Sequence, residues 1–283
     1  MSDFNITISP AQIEYLIKPN ATIIQAYEIN NNSNQDIYLN SEVLPFLPQG
    51  NSGSVIYQNI PVNPNINFSL NNSDLILGQP FLLKANSKQQ LVLKIKTLNN
   101  TSLTDSYYTF FVSQVQKQNN ANFPQASGKI GSHILLSVTN TENIFNKGSI
   151  SIFKITPKIK DVFFSRLQFS GEVKNDSNYF LKTSGQITLT KNDQTLKEIK
   201  LQPLNVLANY YRQIDCQDLK NCTLKGPFWP GRYTATLSFD QNLKIPSQSI
   251  SFFVFPFSPI LFLLLITGLI IFITKFKKFF PKA

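Results

Sequence analysis

Up to about residue 255, apolar and polar residues alternate with period two in short runs that end at Asn-, Gly- or Pro-containing turns. Ile13, Tyr15 and Ile17 open the series, and Ile23–Ile29 continues it. Because successive side chains of a strand point to opposite faces, this period predicts half-buried strands, and no amphipathic helix interrupts them. Tyr107–Val115 (YYTFFVSQV) is apolar on both faces, which is typical of a central strand.

A polar stretch, Thr139–Gly148 (TNTENIFNKG), separates this series from a second one. The second series consists of Ile150–Ile155, Phe163–Phe169, Gln186–Thr190, Leu196–Leu201, Tyr233–Phe239 and Ser249–Val254. Strands at intervals of about ten residues, joined by turns, indicate antiparallel sandwiches. The pattern therefore predicts an all-β chain of two tandem immunoglobulin-like β-sandwich domains, residues 1–140 and 149–255, with a linker at 141–148.

The C-terminal stretch breaks this pattern, because no charged residue occurs from Phe252 to Thr274. Ser258 and Pro259 are typical of an N-cap followed by proline at the first helical position. The 16 residues from Pro259 to Thr274 span about 24 Å, less than a hydrocarbon core of ~30 Å. Continuing through Phe280 gives about 33 Å, with lysine stems reaching the headgroups. We therefore predict one C-terminal transmembrane α-helix at residues 258–280.

The alternative to a membrane anchor is a buried core helix. Core helices of this length rarely lack a polar face, and they seldom end in a lysine cluster, which favours the lipid bilayer as the partner of this segment. The predicted anchor residues are Pro259, Gly268, Thr274, Lys275, Lys277 and Lys278.

Flanking charge predicts the orientation of the chain. The tail at 275–283 holds four lysines, whereas the nearest cation before the helix is Lys244. The positive-inside rule then places the tail in the cytoplasm and the bulk outside, on the cell membrane. The opening MSDFNITISP has neither a basic nor an apolar signal region. We expect that an export signal has been removed or lies upstream; the alternative is a tail-anchored chain with its bulk in the cytoplasm.

Two cysteines, Cys216 and Cys222, lie in a polar, turn-like stretch. This spacing favours a disulfide that closes a small loop, with a pair of reduced thiols as the alternative. A zinc site is disfavoured, because it needs two further ligands and the single histidine, His133, is distant in sequence. A disulfide indicates an oxidising compartment, in agreement with the flanking charge.

Candidate chemistry is sparse, and the sequence predicts no catalytic residues, no cofactor and no metal. His133 lies in a strand-like run, which indicates a structural or surface residue, and the polar, turn-like stretch around Asp215 and Asp218 indicates solvated turn residues. Four of the lysines behind the net charge of +10 lie in the tail, and the remaining excess is scattered along the chain, which argues against nucleic acid. Phe228 and Trp229, between prolines, form either an exposed partner-binding ledge or a cap on the sandwich core.

Five segments form a recognisable series: ISPAQIEYLIKPNATIIQAYEINNNSNQDIYLNSEV at the start, GSVIY (53–57), IGSHILLSVT (130–139), NVLANYYRQI (205–214) and PGRYTATLSF (230–239). Together they resemble the WxL-interacting protein family of Gram-positive bacteria. The resemblance implies two immunoglobulin-like domains, a transmembrane helix and a short basic tail. It further implies a cell-surface role, with the first domain on peptidoglycan and the second on host or partner proteins, but it assigns no binding residues here.

The resulting hypothesis is a membrane-anchored bacterial cell-surface protein with a non-catalytic binding role. Its partner would be a cell-wall polymer such as peptidoglycan, or another surface protein. The alternatives are a structural or spacer subunit of a membrane-associated assembly and an accessory to an enzyme.

Overall fold

The computed structural model describes residues 4–58, 62–115, 128–141, 144, 147–156, 160–162 and 166–279, with side chains as far as Lys275. Strands dominate these ranges, which confirms the prediction of a β-rich chain. Two compact units divide the chain at residue 145, and the short segments Ser177–Phe180 and Leu207–Asn209 group with the first, unit 1. The remainder is unit 2.

The described residues of unit 1 form ten strands in two sheets. They are β1 (Ile6–Ser9), β2 (Gln12–Ile17), β3 (Thr22–Asn31), β4 (Ile37–Gln49), β5 (Ser54–Tyr57), β6 (Ile66–Leu70), β7 (Phe81–Leu83), β8 (Lys88–Thr97), β9 (Asp105–Gln114) and β10 (Lys129–Val138). One sheet has the order β1-β3-β8-β6; the other has the order β2-β10-β9-β4-β5, with β7 also paired to β4. The central strand predicted at Tyr107–Val115 is confirmed, because β9 lies between β10 and β4.

The core of unit 1 lies between these two sheets. Leu91, Leu93 and Ile95 alternate along β8 and are fully buried, as the period-two pattern requires. Across the core, Tyr27 on β3 and Phe110 on β9 place their ring centroids 4.9 Å apart. The unit is therefore a β-sandwich.

Eleven strands are formed by the part of unit 2 that the structure describes. They are β11 (Gly148–Thr156), β12 (Lys160–Asp161), β13 (Arg166–Asn175), β14 (Leu181–Thr183), β15 (Gly185–Lys191), β16 (Gln194–Lys200), β17 (Leu204–Val206), β18 (Tyr211–Gln213), β19 (Thr223–Lys225), β20 (Gly231–Phe239) and β21 (Gln248–Phe255), and short 3-10 turns occur at Lys220–Cys222 and Gln241–Leu243. The order β11-β13-β18, with β19 also on β13, forms one sheet, and β12-β21-β20-β15-β16 forms the other, while β14 and β17 pair separately.

Unit 2 is likewise a sandwich. Leu167 and Phe169 of β13 pack in one buried cluster with Ile187 of β15 and Leu237 of β20. The predicted boundaries of the second series need one adjustment: β11 begins at Gly148, inside the linker predicted at 141–148, and the predicted strand start at Phe163 lies outside the described residues.

One α-helix, α1 (Phe257–Phe279), follows β21 after the single residue Pro256. Its stretch Phe257–Lys275 is long and apolar enough to cross a membrane, with a mean hydropathy of 2.5, and none of it is buried against the protein. The prediction that Ser258 is the N-cap is wrong, because the helix begins one residue earlier and Ser258 lies in its first turn.

Candidate membrane-proximal site

Five strands of unit 2 end together beside the start of α1. Asp161 of β12 pairs with Phe255 of β21, and Gly231 of β20 pairs with Val254. The β15–β16 turn lies at the same end, since β15 pairs with β20 up to Thr190 opposite Thr234. We call this region, formed by residues 160–162, 191–194, 228–232 and 253–258, the α1 end of unit 2. It contains Phe228 and Trp229 and adjoins Pro259, three of the residues singled out by the sequence.

Asp161 links the sheet to the helix. Its Oδ2 accepts a hydrogen bond from the Ser258 backbone N–H at 2.7 Å, and its Oδ1 accepts one from the Ser258 Oγ–H at 2.6 Å. The N–H groups of a first helical turn have no partner within the helix, and a negative charge there also interacts favourably with the helix dipole. The cap of α1 thus comes from a strand about a hundred residues earlier, with a sequence separation of 97. Sequence pattern alone could not find it.

Replacing Asp161 with alanine is expected to weaken the first turn of α1 by about 1–2 kcal/mol, the usual cost of losing a cap. In the full chain reconstituted in vesicles, hydrogen exchange at the Ser258 amide should accelerate by about tenfold. Asp218→Ala, which removes an exposed carboxylate of the disulfide loop, is the matched control and should leave that exchange rate unchanged. Equal rates in the two variants would contradict the capping role.

Lys160, next to Asp161, is buried at 4% exposure, and its Nζ lies 5.0 Å from the centroid of the Phe252 ring. Burial lowers the pKa of this ammonium group because the charged form is desolvated. The cation–π contact with Phe252 offsets part of that cost. The α1 end therefore places a cation and a carboxylate on consecutive residues beneath the helix start.

The structure separates the two residues of the predicted ledge. Phe228 is only 7% exposed and packs on Tyr233 with ring centroids 6.2 Å apart, whereas Trp229 is 79% exposed. Of the two alternatives, the core cap holds for Phe228, and of this pair only Trp229 projects into solvent. Two hydrogen bonds fix this loop, from Tyr233 Oη–H to the Trp229 carbonyl (2.7 Å) and from the Phe228 N–H to the Val162 carbonyl (2.9 Å).

Cys216 and Cys222 form a disulfide, as the spacing favours, with Cα atoms 5.1 Å apart. Both residues are buried in the core of unit 2, at 6% and 2% exposure. The bridge therefore joins the short loop after β18 to the core, and reduced surface thiols are excluded by its position.

Converting both cysteines to alanine is expected to lower the free energy of unfolding of unit 2 by about 2 kcal/mol, the chain-entropy value for so short a loop. Chemical denaturation of the wild-type chain with and without reductant should show the same difference, while the double variant should not respond to reductant. A wild-type midpoint that reductant leaves unchanged would refute this contribution.

The described anchor residues lie along α1. Pro259 is in the first turn, where its missing N–H removes no intrahelical bond. A Cβ atom added at Gly268 would meet no other atom within 4 Å. The Thr274 Oγ1–H donates a hydrogen bond to the Ile271 carbonyl at 2.9 Å. Lys275 is exposed. Side chains of Lys277 and Lys278 lie outside the described residues.

A second notable cluster lies on the outer face of the six-stranded sheet of unit 1. The rings of His133 and Phe46 are tilted by 57°, with centroids 4.9 Å apart, and the His133 Nδ1 lies 2.9 Å from the Thr109 Oγ1. Tyr57 of β5 packs edge-on against Phe111, with ring centroids 4.8 Å apart. Burial lowers the pKa of His133, which favours the neutral imidazole. His133 is thus held among rings, as a structural residue. Residues of four separate strands, β4, β5, β9 and β10, build this cluster, so no local motif marks it.

Among the residues described in either unit, no three His, Cys, Asp or Glu side chains lie close enough together to hold a metal ion. Asp215, one of the turn carboxylates noted in the sequence, accepts a hydrogen bond from the Cys216 N–H at 2.8 Å. It shapes the disulfide loop, as a turn residue does.

No protein-family model and no curated protein matches this chain. Similar solved structures include the class 5 fimbriae chaperone CfaA, with 10% identity and a TM-score of 0.43 over 89% of this chain and 100% of that one. The E. coli chaperone DraB has 13% identity and a TM-score of 0.39 over 88% of this chain and 97% of that one. A complex of CsuC with the tip adhesion subunit CsuE from Acinetobacter baumannii gives 12% identity and a TM-score of 0.41 over 88% of this chain and 97% of that one. At these identities and TM-scores, the similarity carries no information about what this chain binds.

Proposed function

We propose that this chain is a single-pass membrane protein that holds two β-sandwich units at the cell surface, where they bind a cell-wall polymer or a protein partner without catalysis. One observation carries the anchor. Twelve large apolar side chains from Ile260 to Ile273 are each 41–66% exposed. Burying such a side chain is favourable by about 1.5–3 kcal/mol, so the helix requires an apolar environment that the units do not provide.

The orientation of the proposal rests on charge and redox chemistry. The four lysines of the tail favour a cytoplasmic C-terminus. The buried disulfide in unit 2 favours an oxidising compartment, because disulfides form and persist there. Both features favour units 1 and 2 on the outside.

Binding requires a surface, and the β4–β5 hairpin of unit 1 is the best candidate. Leu47 pairs with Ile56 and Phe46 with Tyr57 across the hairpin. Leu47, Ile56 and Tyr57 are 47%, 48% and 43% exposed. Since successive side chains of a strand point to opposite faces, Leu47 and Ile56 are exposed on one face of the hairpin and Tyr57 on the other. Exposed apolar side chains favour contact with a partner, and an aromatic ring also suits the face of a sugar.

Anchoring and orientation are tested together in membranes. The full chain should resist carbonate extraction and float with vesicles, whereas a chain ending at Pro256 should be released. A thiol reagent added before reduction should leave Cys216 and Cys222 unmodified, and a reporter fused after Ala283 should be cytoplasmic. An external reporter, or a full chain that stays soluble without detergent, would refute the proposal.

The binding role is tested by retention of the detergent-solubilised chain on purified peptidoglycan. Retention that Ile56→Ser with Tyr57→Ser reduces severalfold would support binding through the hairpin, with Leu196→Ser, on β16 at 50% exposure, as the matched control. No retention, together with co-purification of other membrane proteins, would instead favour the spacer subunit. The direct junction of β21 and α1, with one residue between them, specifically favours that alternative.

A further inference from the structure

Exposed aromatic rings concentrate at the α1 end of unit 2. Trp229 is 79% exposed, and Phe253, Phe255 and Phe257 are 57%, 40% and 48% exposed. The antiparallel register places Gly231 opposite Val254, so that Trp229, two residues further along, is level with the residue immediately before α1. These rings therefore form a band around the point at which the helix starts.

Cations accompany the rings, and three of them, Arg166, Lys225 and Arg232, are exposed. Arg232 follows Gly231 on β20, and Arg166 pairs with Lys225, three residues before Phe228, at the corresponding end of the other sheet. Lys191 Nζ donates to the Pro230 carbonyl at 3.1 Å.

Two carboxylates lie at this end as well. Asp161 is engaged with Ser258, and Asp193 is in the exposed β15–β16 turn. The α1 end itself holds three cations, Lys160, Lys191 and Arg232, against these two carboxylates, and the described cations Arg166 and Lys225 beside it add to its net positive charge.

The loop that carries Trp229 is fixed before any partner binds. Phe228 is buried on one side of it, and the Tyr233 hydroxyl holds the Trp229 carbonyl at 2.7 Å. A ring projected from a fixed backbone loses little conformational entropy on binding. Exposing an indole in this way serves a binding role better than a folding role, since the core gains nothing from it.

We propose that the α1 end of unit 2 is a membrane-docking surface. Trp229 and the neighbouring phenylalanines lie in the boundary between headgroups and acyl chains, and Arg166, Lys225 and Arg232 contact anionic headgroups. Aromatic rings are favoured at this depth, and basic residues near the surface bind anionic lipid. The inference rests on the proposed membrane anchorage of α1, with which the surface is continuous, and it assigns Trp229 to lipid.

Trp229 is the single tryptophan of the chain, so its fluorescence reports on this surface directly. The full chain would be reconstituted in phosphatidylglycerol–phosphatidylcholine vesicles that contain lipids spin-labelled near the headgroup or near the acyl end. We expect the shallow label to quench Trp229 by roughly half or more and the deep label to quench it less. Acrylamide in the buffer should quench Trp229 several times less than free tryptophan.

The matched control moves the tryptophan to the other end of the same strand pair. In Trp229→Phe with Gln248→Trp, the new ring stands on an exposed residue opposite Leu237, about 23 Å along β21 from Phe255. Its emission should respond to acrylamide and not to either labelled lipid.

The outcomes separate this inference from the anchor. A chain that fails to float with vesicles after a carbonate wash refutes the anchor itself. A chain that floats, but whose Trp229 is quenched by acrylamide as fully as the control and not by shallow lipid, overturns the docking surface and leaves the anchor intact. Arg232→Gln with Lys225→Gln should remove any difference in Trp229 quenching between anionic and neutral vesicles; persistence of that difference would refute the assigned role of the cations.

Discussion

Gly185→Ala is expected to lower the free energy of unfolding of unit 2 by about 3 kcal/mol or more. A Cβ at this position would overlap the backbone oxygen of Ser238 and lie 3.0 Å from the Cα of Phe239. Gly185 pairs with Phe239 in the β15–β20 ladder, so the obstructing atoms are main chain and can move only by breaking sheet hydrogen bonds. Denaturation followed by Trp229 fluorescence reports on this unit alone, because that residue is the single tryptophan.

Ser184→Ala is the matched control for Gly185→Ala. It changes the adjacent residue and keeps the Ser184 carbonyl that accepts from the Asp240 N–H at 3.0 Å. Its effect should stay within about 0.5 kcal/mol, as for substitutions that touch no special feature. If Gly185→Ala proved as mild as Ser184→Ala, the close approach of β20 to β15 would be wrong.

Leu264→Arg with Gly268→Arg is expected to release at least half of the chain from carbonate-washed membranes. Gly268 is at the midpoint of α1 (Phe257–Phe279), with Leu264 one turn earlier on the same face. Each arginine near the bilayer centre costs about 2.5–3.5 kcal/mol of insertion free energy, and each large apolar residue contributes about −0.3 to −0.6. Two arginines therefore cost about 6 kcal/mol, which is comparable to the total from the eleven large apolar residues that remain between Ile260 and Ile273 once Leu264 is replaced.

Leu264→Ile with Gly268→Leu changes the same two positions without charge. Because a Cβ at residue 268 meets nothing within 4 Å, the larger side chain fits, and the chain should remain fully resistant to carbonate. An arginine variant that is retained as completely as this control would show that the helix is held by protein and not by lipid.

The fold was predictable where one strand face is buried. Alternation at Ile13, Tyr15 and Ile17 indicated β2, because a strand buried on one face has apolar residues at every second position. The continuous apolar run indicated the central strand β9, because a strand buried on both faces is apolar at successive positions. Sheet order was not predictable. Nothing local specifies that β2 pairs in parallel with β10, more than a hundred residues later.

The candidate site likewise has features that the sequence predicts and features that only the folded structure reveals. Cys216 and Cys222 are close in sequence, so their bridge could be predicted from spacing. Phe228 and Trp229 are equally apolar neighbours, and only the packing of β20 decides that one is buried and the other exposed. Asp161 reaches Ser258 because β12 lies beside β21, a pairing of two residues without any pattern of its own.

The way in which β21 enters α1 determines how the protein bears a pulling force. In the sheet order β12-β21-β20, β21 is an interior strand, and its ladder with β20 runs from Val254 to Gln248. Tension between a bound partner and the membrane would act along this strand, at right angles to its hydrogen bonds. All hydrogen bonds of the ladder are then loaded at the same time, in shear. A strand pulled away sideways from its end would instead break its hydrogen bonds one after another. Mechanical load borne by the tether therefore falls on one of the most extensively paired strands of unit 2.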